Sequence, residues 1–306
     1  MSLLSLLGVL SSAIFSGTSL LYSTLGETIH QRSGIVNLGL EGVMLVSASA
    51  GFALAAITGK PYLGVLAAAL AGGIVNLILG YLVIKRNANQ LASGLALMFF
   101  GFGISALIGK PYVGAKINPL PRFSLPIIRD LDVLYASLFK FDLLIYLAIP
   151  MALLIWWLLF KTRWGLGLRA VGENADTAYA SGRNPMLIRF QALFLGGTLA
   201  GLGAAHLSIA YTMNWSEHMT AGRGFIAVAL VIFSKWHPLR AIGGALLFSG
   251  AVAFQLLLQS SGVDVSPFLL DTIPYVLTLL VLIIWGGTRK NAAPASLGKV
   301  YYGGQK

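Results

Sequence analysis

The chain has 306 residues, 57% of them apolar and 10% charged, where a soluble domain carries about 45–50% and about 25%. With a mean hydropathy of +0.81 and one charge-free apolar run after another, the composition excludes a water-soluble globular protein. The same runs predict an all-α polytopic membrane protein, since a spanning β-barrel would alternate polar and apolar residues over about ten positions. The formal charge of +11 comes from 21 Lys and Arg against 10 Asp and Glu. These basic residues are not clustered with aromatics, which argues against nucleic acid as a partner. The lack of cysteine excludes disulfides, thiolate catalysis and Cys-ligated metals.

Charges and turn formers divide the chain into nine hydrophobic segments: 3–26, 35–59, 62–84, 90–109, 143–160, 188–211, 224–235, 240–260 and 272–288. They predict about 8–10 membrane helices, some of them broken or half-length. The first is about twice the length of a signal-peptide apolar core and is read as a retained helix. The second carries Glu41 in a Gly-punctuated stretch (Gly34, Gly39, Gly42). After the fourth comes a long loop, 110–142, with four prolines (Pro111, Pro119, Pro121, Pro126) and the run DLDVLYASLFKFD, which predicts a short surface helix. The stretch 161–186 contains KTRWGLGLRAVGENADTAYASGRNP. Its Gly-rich start, its ADTAYAS run and its Gly-Arg-Asn-Pro stop predict a short amphipathic helix too polar to insert. Its charges of both signs (Arg169, Glu173, Asp176, Arg183) suit a docking surface. The seventh segment is too short for a span of about 30 Å, so it is either a half-helix buried in protein or joined to its flanks.

If successive segments alternate sides, fourteen of the 21 Lys and Arg fall on one face, among them Arg32, Arg169 and Lys235. The other face receives seven, five of them in 110–142 and one of them Arg223. The positive-inside rule makes the richer face cytoplasmic, together with 161–186 and the carboxyl terminus. SGIVNLGLEGVML (33–45) and GRGFIAVALVIFS (222–234) are both Gly-punctuated and entered from opposite sides, as in an inverted repeat.

Catalytic signatures are missing. Gly-Lys occurs at 59–60, 109–110 and 298–299, followed by Pro, Pro and Val, so there is no phosphate-binding loop and no ATPase site. His30, His206, His218 and His237 are scattered without metal-ligand spacing. Glu217 and His218 are adjacent but have no nucleophile near them. The polar residues inside segments are Asn37, Glu41, Asn76, Gln90, Ser93, His206 and Gln255. Polar groups in spans mark substrate paths or interhelical hydrogen bonds. Asn37, Glu41, Asn76, Gln90, Ser93 and Gln255 are the candidates for a translocation path. For Glu41 two readings stand: a path residue, or a structural group that pairs with Arg32 or caps a broken helix. His206 reads as a packed polar residue. Gly196, Gly197, Gly201 and Gly203 have small-xxx-small spacing, which favours close helix packing.

Three stretches carry a resemblance to a known family. GETIHQRSGIVNLGLEGVML (26–45), GLGLRAVGENADTAYASGRNP (165–185) and GRGFIAVALVIFSKWHPLRAIGGALLF (222–248) are similar to motifs of permease subunits from ATP-binding-cassette importers of simple sugars, nucleosides and branched-chain amino acids. The last stretch resembles the nucleoside branch. The resemblance implies one transmembrane permease domain over 1–306, with two pseudo-symmetric halves as in type II importers, in a bacterial-type plasma membrane. It implies coupling to the ATPase through Arg169, Gly172, Glu173, Asn174, Asp176 and Arg183. It also implies three partners: a cytoplasmic ATP-binding-cassette subunit, a second and paralogous permease, and an extracytoplasmic substrate-binding lipoprotein. The chain itself would bind no cofactor, with ATP and Mg on the ATPase. Riboflavin or a branched-chain amino acid is an alternative substrate within the family. A secondary transporter driven by an ion gradient through Glu41 is the rival reading.

Overall fold

The computed structural model describes residues 3–123, 140–261, 266–285 and 293–299. Most of the expected surface helix in 130–142 lies outside these residues, as does the end of the ninth segment beyond 285.

Eleven helices make up nearly all of the described chain. In order they are α1 (Leu3–Arg32), α2 (Leu40–Thr58), α3 (Pro61–Gly80), α4 (Gln90–Gly109), α5 (Leu143–Lys161), α6 (Arg163–Glu173), α7 (Ala175–Ala180), α8 (Pro185–Ala205), α9 (Arg223–Phe233), α10 (Pro238–Ser260) and α11 (Pro267–Trp285). A two-residue antiparallel ladder, β1 (Arg122–Phe123) with β2 (Phe141–Asp142), closes the long loop. Among the described residues seven stretches are long and apolar enough to cross a membrane, namely α1 to α5, α8 and α10 with their short extensions. The 11-residue α9 is not. Prolines at the first turns of α3, α8 and α10 start those helices where a missing N–H costs nothing.

The first helix runs six residues beyond the segment read from hydropathy, through Glu27-Thr28-Ile29-His30-Gln31-Arg32. Polarity does not end it, because Glu27, His30 and Gln31 are buried and bonded to one another. Its 30 residues make about 45 Å of helix, more than the hydrocarbon thickness of about 30 Å.

The core is built on glycine contacts. Without a hydrophobic drive between helices inside lipid, close backbone approach and dispersion hold them together. Gly26 of α1 faces Gly196 of α8, Gly72 of α3 faces Gly197, and Gly201 lies on Ala68; a Cβ at any of these glycines would run into the opposing backbone. Gly42 of α2 meets Gly101 of α4 in the same way. The expected packing role of Gly196, Gly197, Gly201 and Gly203 is what the structure shows, with Gly203 against Ser19 and Tyr22.

These contacts also fix helix directions. Residues 196 and 203 of α8 meet residues 26 and 19 of α1, so the two are antiparallel, and α8 starts beside the Arg32 end of α1. Residues 161–185, the connection between α9 and α10, and the segment 293–299 all gather at that end.

Candidate functional site

Residues 33–39 leave the end of α1 and re-enter the bundle, so that α2 begins inside it. At residue 212 the chain does the same from the opposite end, and α9 also begins inside. Gly222, in the left-handed region at φ 82°, makes the turn that starts α9. The Arg223 guanidinium donates to the Ser16 carbonyl of α1 at 3.1 Å, whereas beyond the other end of α9 the Trp236 carbonyl accepts from Arg32 at 3.1 Å. The 11 residues of α9 span about 16 Å, roughly half of the hydrocarbon core. Arg223, expected in the outer loop, therefore sits beside the middle of α1, because α9 is too short to cross.

Glu41 lies where the two N-termini meet. It is 4% exposed. Its Oε1 accepts from the Thr220 hydroxyl at 2.6 Å and the Gly222 N–H at 2.8 Å, and its Oε2 from the Gly224 N–H at 2.6 Å. A carboxylate in the first turn of α2 thus caps the first turn of α9, where both helix dipoles favour negative charge. Gly224 is required here, since a Cβ would strike the backbone of Glu41. Of the two readings of Glu41 this geometry matches the cap of a broken helix, with α9 in place of Arg32 as the partner.

The other path candidates fall in three places. Asn37 and Asn76 meet directly: the Asn37 Nδ2 donates to the Asn76 Oδ1 at 2.7 Å, both fully buried. They belong to a network around Glu27, which accepts from His30 Nδ1 at 2.8 Å, Gln31 Nε2 at 2.9 Å and the Asn37 N–H at 3.1 Å. With its proton on Nδ1, His30 receives the Asn76 amide on Nε2 at 3.2 Å. Gln31 extends the network to the Trp236 indole N–H at 2.7 Å. Gln90, at the start of α4, clasps the re-entrant segment: its Oε1 accepts from the Val36 N–H at 2.9 Å and its Nε2 donates to the Gly34 carbonyl at 3.2 Å and the Lys299 carbonyl at 2.8 Å. Ser93 is buried one turn farther along α4, beside Gly94, which packs on Leu38 and Gly39. Gln255 lines an open space. It faces a cavity of about 320 Å³ shared with Ser16, Leu20, Ala221, Arg223 and Phe248.

The segment 161–186 is a hairpin of two helices rather than one. The Gly-rich stretch is helical as α6, since its glycines serve packing: Gly165 lies on the carbonyls of Leu158 and Leu159, and Gly172 on that of Arg32. Thr162 caps α6, and Asn174 caps α7 through the N–H groups of Asp176 and Thr177 at 3.0 Å. The six coupling candidates divide. Arg169 turns inward, its guanidinium 5.1 Å over the Phe160 ring. Gly172 is buried and its carbonyl accepts from the Ser296 N–H at 3.0 Å. Arg183 is half-buried beside Gly167. Glu173, Asn174 and Asp176 face outward with Tyr179, which is 60% exposed. Beside the hairpin, His237 stacks on Phe160 with ring centres 5.3 Å apart. Burial, then Arg240 and Arg32, hold the His237 imidazole below its ordinary pKa.

Hydropathy alone missed two groups, Glu27 and His30, whereas His206 reads as a packed polar residue and is one. Glu27 and His30 stood just past an assumed helix end. His206, fully buried, faces the equally buried Asp142 at 3.4 Å, and Asp142 caps α5 through the Leu144 N–H at 2.9 Å. No group of three metal-ligating side chains occurs among the described residues.

Comparison with known proteins agrees with this architecture. The family described as "Branched-chain amino acid transport system / permease component" matches residues 9–285. The guanosine ABC transporter permease protein NupQ of Bacillus subtilis is 31% identical over 97% of each chain. The nucleoside ABC transporter permease protein NupC of Lactococcus lactis is 32% identical over 96% of each. A protein of Haloferax volcanii provisionally named a glucose ABC transporter permease, TsgC13, is 33% identical over 96% of this chain and 97% of its own. A match over nearly the whole length, together with broken helices meeting inside a polytopic bundle, shows that the chain belongs to this family of transport-system permease components.

Proposed function

We propose that the protein is the permease subunit of an ATP-driven importer and carries a nucleoside or a related ribose-containing or simple-sugar solute. The names of the full-length relatives support the substrate class. ATP and Mg are held by a separate cytoplasmic subunit. A paralogous permease completes the path, and an extracytoplasmic binding protein delivers the solute. The end of the bundle at Arg32, with 161–186 and the carboxyl terminus, faces the cytoplasm of a bacterial-type cell.

The observation that carries this reading is the seat of the α6–α7 hairpin. Its outward face offers Glu173, Asn174, Asp176 and Tyr179 to a partner, while its inner face is wedged against the bundle where Gly172 touches the Arg32 carbonyl. Closure of two ATPase domains pushes on α7. The push passes through α6 to the end of α1 and to residues 33–39, which lead into α2 and the Glu41 cap on α9. Two helices that both start inside the bundle and share one carboxylate form a joint that shifts as a unit, which suits alternating access.

The test is reconstitution in liposomes with the co-expressed ATPase, second permease and binding protein. Uptake of labelled guanosine, adenosine or glucose that requires ATP is the expected result. Uptake driven by an ion gradient without ATP overturns the proposal.

A further inference from the structure

The cavity beside α9 holds a cation, Arg223, to which no described carboxylate is directly bonded, Glu41 being its nearby counter-charge. Arg223 Nη1 donates to the Ser16 carbonyl at 3.1 Å, the Ser19 Oγ at 3.3 Å and the Ser16 Oγ at 3.4 Å, and Nη2 reaches the Ser16 Oγ only at 3.5 Å. Among the carboxylates whose side chains are described, none pairs with it; the ion pairs found there are Glu27 with His30 and Asp142 with His206. Glu41, the acid next to it in space, spends both oxygens on Thr220, Gly222 and Gly224. The Nη1 side of the guanidinium is thus anchored to α1. Among the described residues the edge formed by Nε and Nη2 has no hydrogen-bond acceptor closer than that 3.5 Å contact, and the Tyr211 ring lies 5.8 Å from the guanidinium carbon. The charge lies beside the middle of the membrane-spanning α1, where an ionised group is expensive and needs a functional reason.

We propose that Arg223 contacts the transported solute. Its Nε–Nη2 fork takes two neighbouring acceptor oxygens of an uncharged or anionic polyhydroxylated molecule, such as the vicinal hydroxyls of a ribose or a hexose. The surroundings match that ligand. Ser16 and Gln255 add a hydroxyl and an amide to the wall, and Leu20 and Phe248 supply apolar faces for a ring. The cavity, about 320 Å³, is at the small end of ligand sites, about 300–1,000 Å³. The same charge rejects cationic solutes. This assignment rests on the permease reading and adds to it a residue that selects by charge and acceptor geometry.

Because the chain has no cysteine, a single Ala221→Cys change places one thiol in the cavity wall without touching a polar contact. In liposomes, an anionic methanethiosulfonate reagent should modify this thiol about tenfold faster than a cationic one of similar size, and Arg223→Gln should abolish the preference. Equal rates in the Arg223 protein overturn the proposal. In the reconstituted importer, Arg223→Gln should lower ATP-dependent guanosine or glucose uptake at sub-saturating solute about 10- to 100-fold, the worth of a charge-assisted bidentate contact. Arg223→Lys, which keeps the charge but not the fork, should fall between. Wild-type uptake in the Gln variant overturns the solute contact. Should Arg223→Gln fail to fold, the reagent comparison in the Ala221→Cys protein and the Lys variant still decide. Absence of ATP-dependent uptake in the wild-type complex refutes the permease reading instead.

Discussion

Replacing Glu41 by Gln removes a charge and one acceptor while keeping the volume, so its cost can be worked from the three bonds the carboxylate receives. Thr220 can turn its hydroxyl to accept, but the Gly222 and Gly224 N–H groups cannot, and they bond to different oxygens. An amide satisfies only one of them with its single oxygen. One buried N–H is orphaned, at about 1–3 kcal/mol, and the negative charge at the first turns of α2 and α9 is lost, at about 1–2 kcal/mol in so buried a place. The variant should be destabilised by about 2–5 kcal/mol. Glu41→Asp, which keeps the charge but is one methylene short, should lose less, and Thr220→Val, which leaves both backbone donors paired, about 1 kcal/mol. The assay is equilibrium unfolding of the purified protein in mixed micelles, with ATP-dependent uptake measured on the same preparations. Uptake should fall in step with stability, since the cap joins the two half-helices. Wild-type stability in Glu41→Gln refutes the cap. Lost uptake at undiminished stability would make Glu41 a path residue instead.

Three further outcomes follow from the contacts. Gly196→Val sets a branched side chain against Gly26 and His30 and should cost about 1–3 kcal/mol or more by parting α1 from α8; a change under about 0.5 kcal/mol in the same unfolding assay contradicts the close approach. Tyr179→Glu, on the exposed face of α7, should leave stability within about 0.5 kcal/mol and lower solute-stimulated ATP hydrolysis; unaltered coupling removes that face from the docking surface. His237 has its folded-state pKa below the unfolded value, so the unfolded chain binds the proton more readily. Its contribution is intact above about pH 6.5 and is lost as pH falls toward the lower folded value. His237→Gln should therefore flatten part of the acid-side fall in stability, and identical pH profiles contradict it.

Composition and periodicity made the membrane class, most spans and the polar, non-inserting character of 161–186 readable, because each is a local property of a window; the two-helix hairpin in that stretch was not readable. The interior was less readable, and Glu27 shows why. A carboxylate followed by His, Gln and Arg reads as a helix end, yet α1 continues because its partners Asn37 and Asn76 are brought in by other elements. The charges of 165–185 were legible as a set, but not which of them turn inward: Arg169 finds Phe160 only once α5 and α6 pack.

Arg223 is the sharpest case. Counting spans as full crossings assigns it to a loop, since an Arg between apolar runs is ordinarily at the surface. The contrary signal was present in the length of the apolar run, 224–235, about twelve residues where about twenty are needed. A run that ends at the basic surface, at Lys235, and is too short to cross must begin inside the membrane, and the residue that begins it must be accommodated there. Gly222 and Gly224 on either side supply the means, one through a left-handed turn and the other through a bare face against Glu41. The short run, its flanking glycines and the distant acid thus form a single device. The acid neutralises the end of the half-helix through three hydrogen bonds, which leaves the arginine beside it without a directly bonded carboxylate among the described side chains. Had Glu41 paired with Arg223 directly, the cap would be lost and the cavity would hold a neutral salt bridge with little to offer a polar solute.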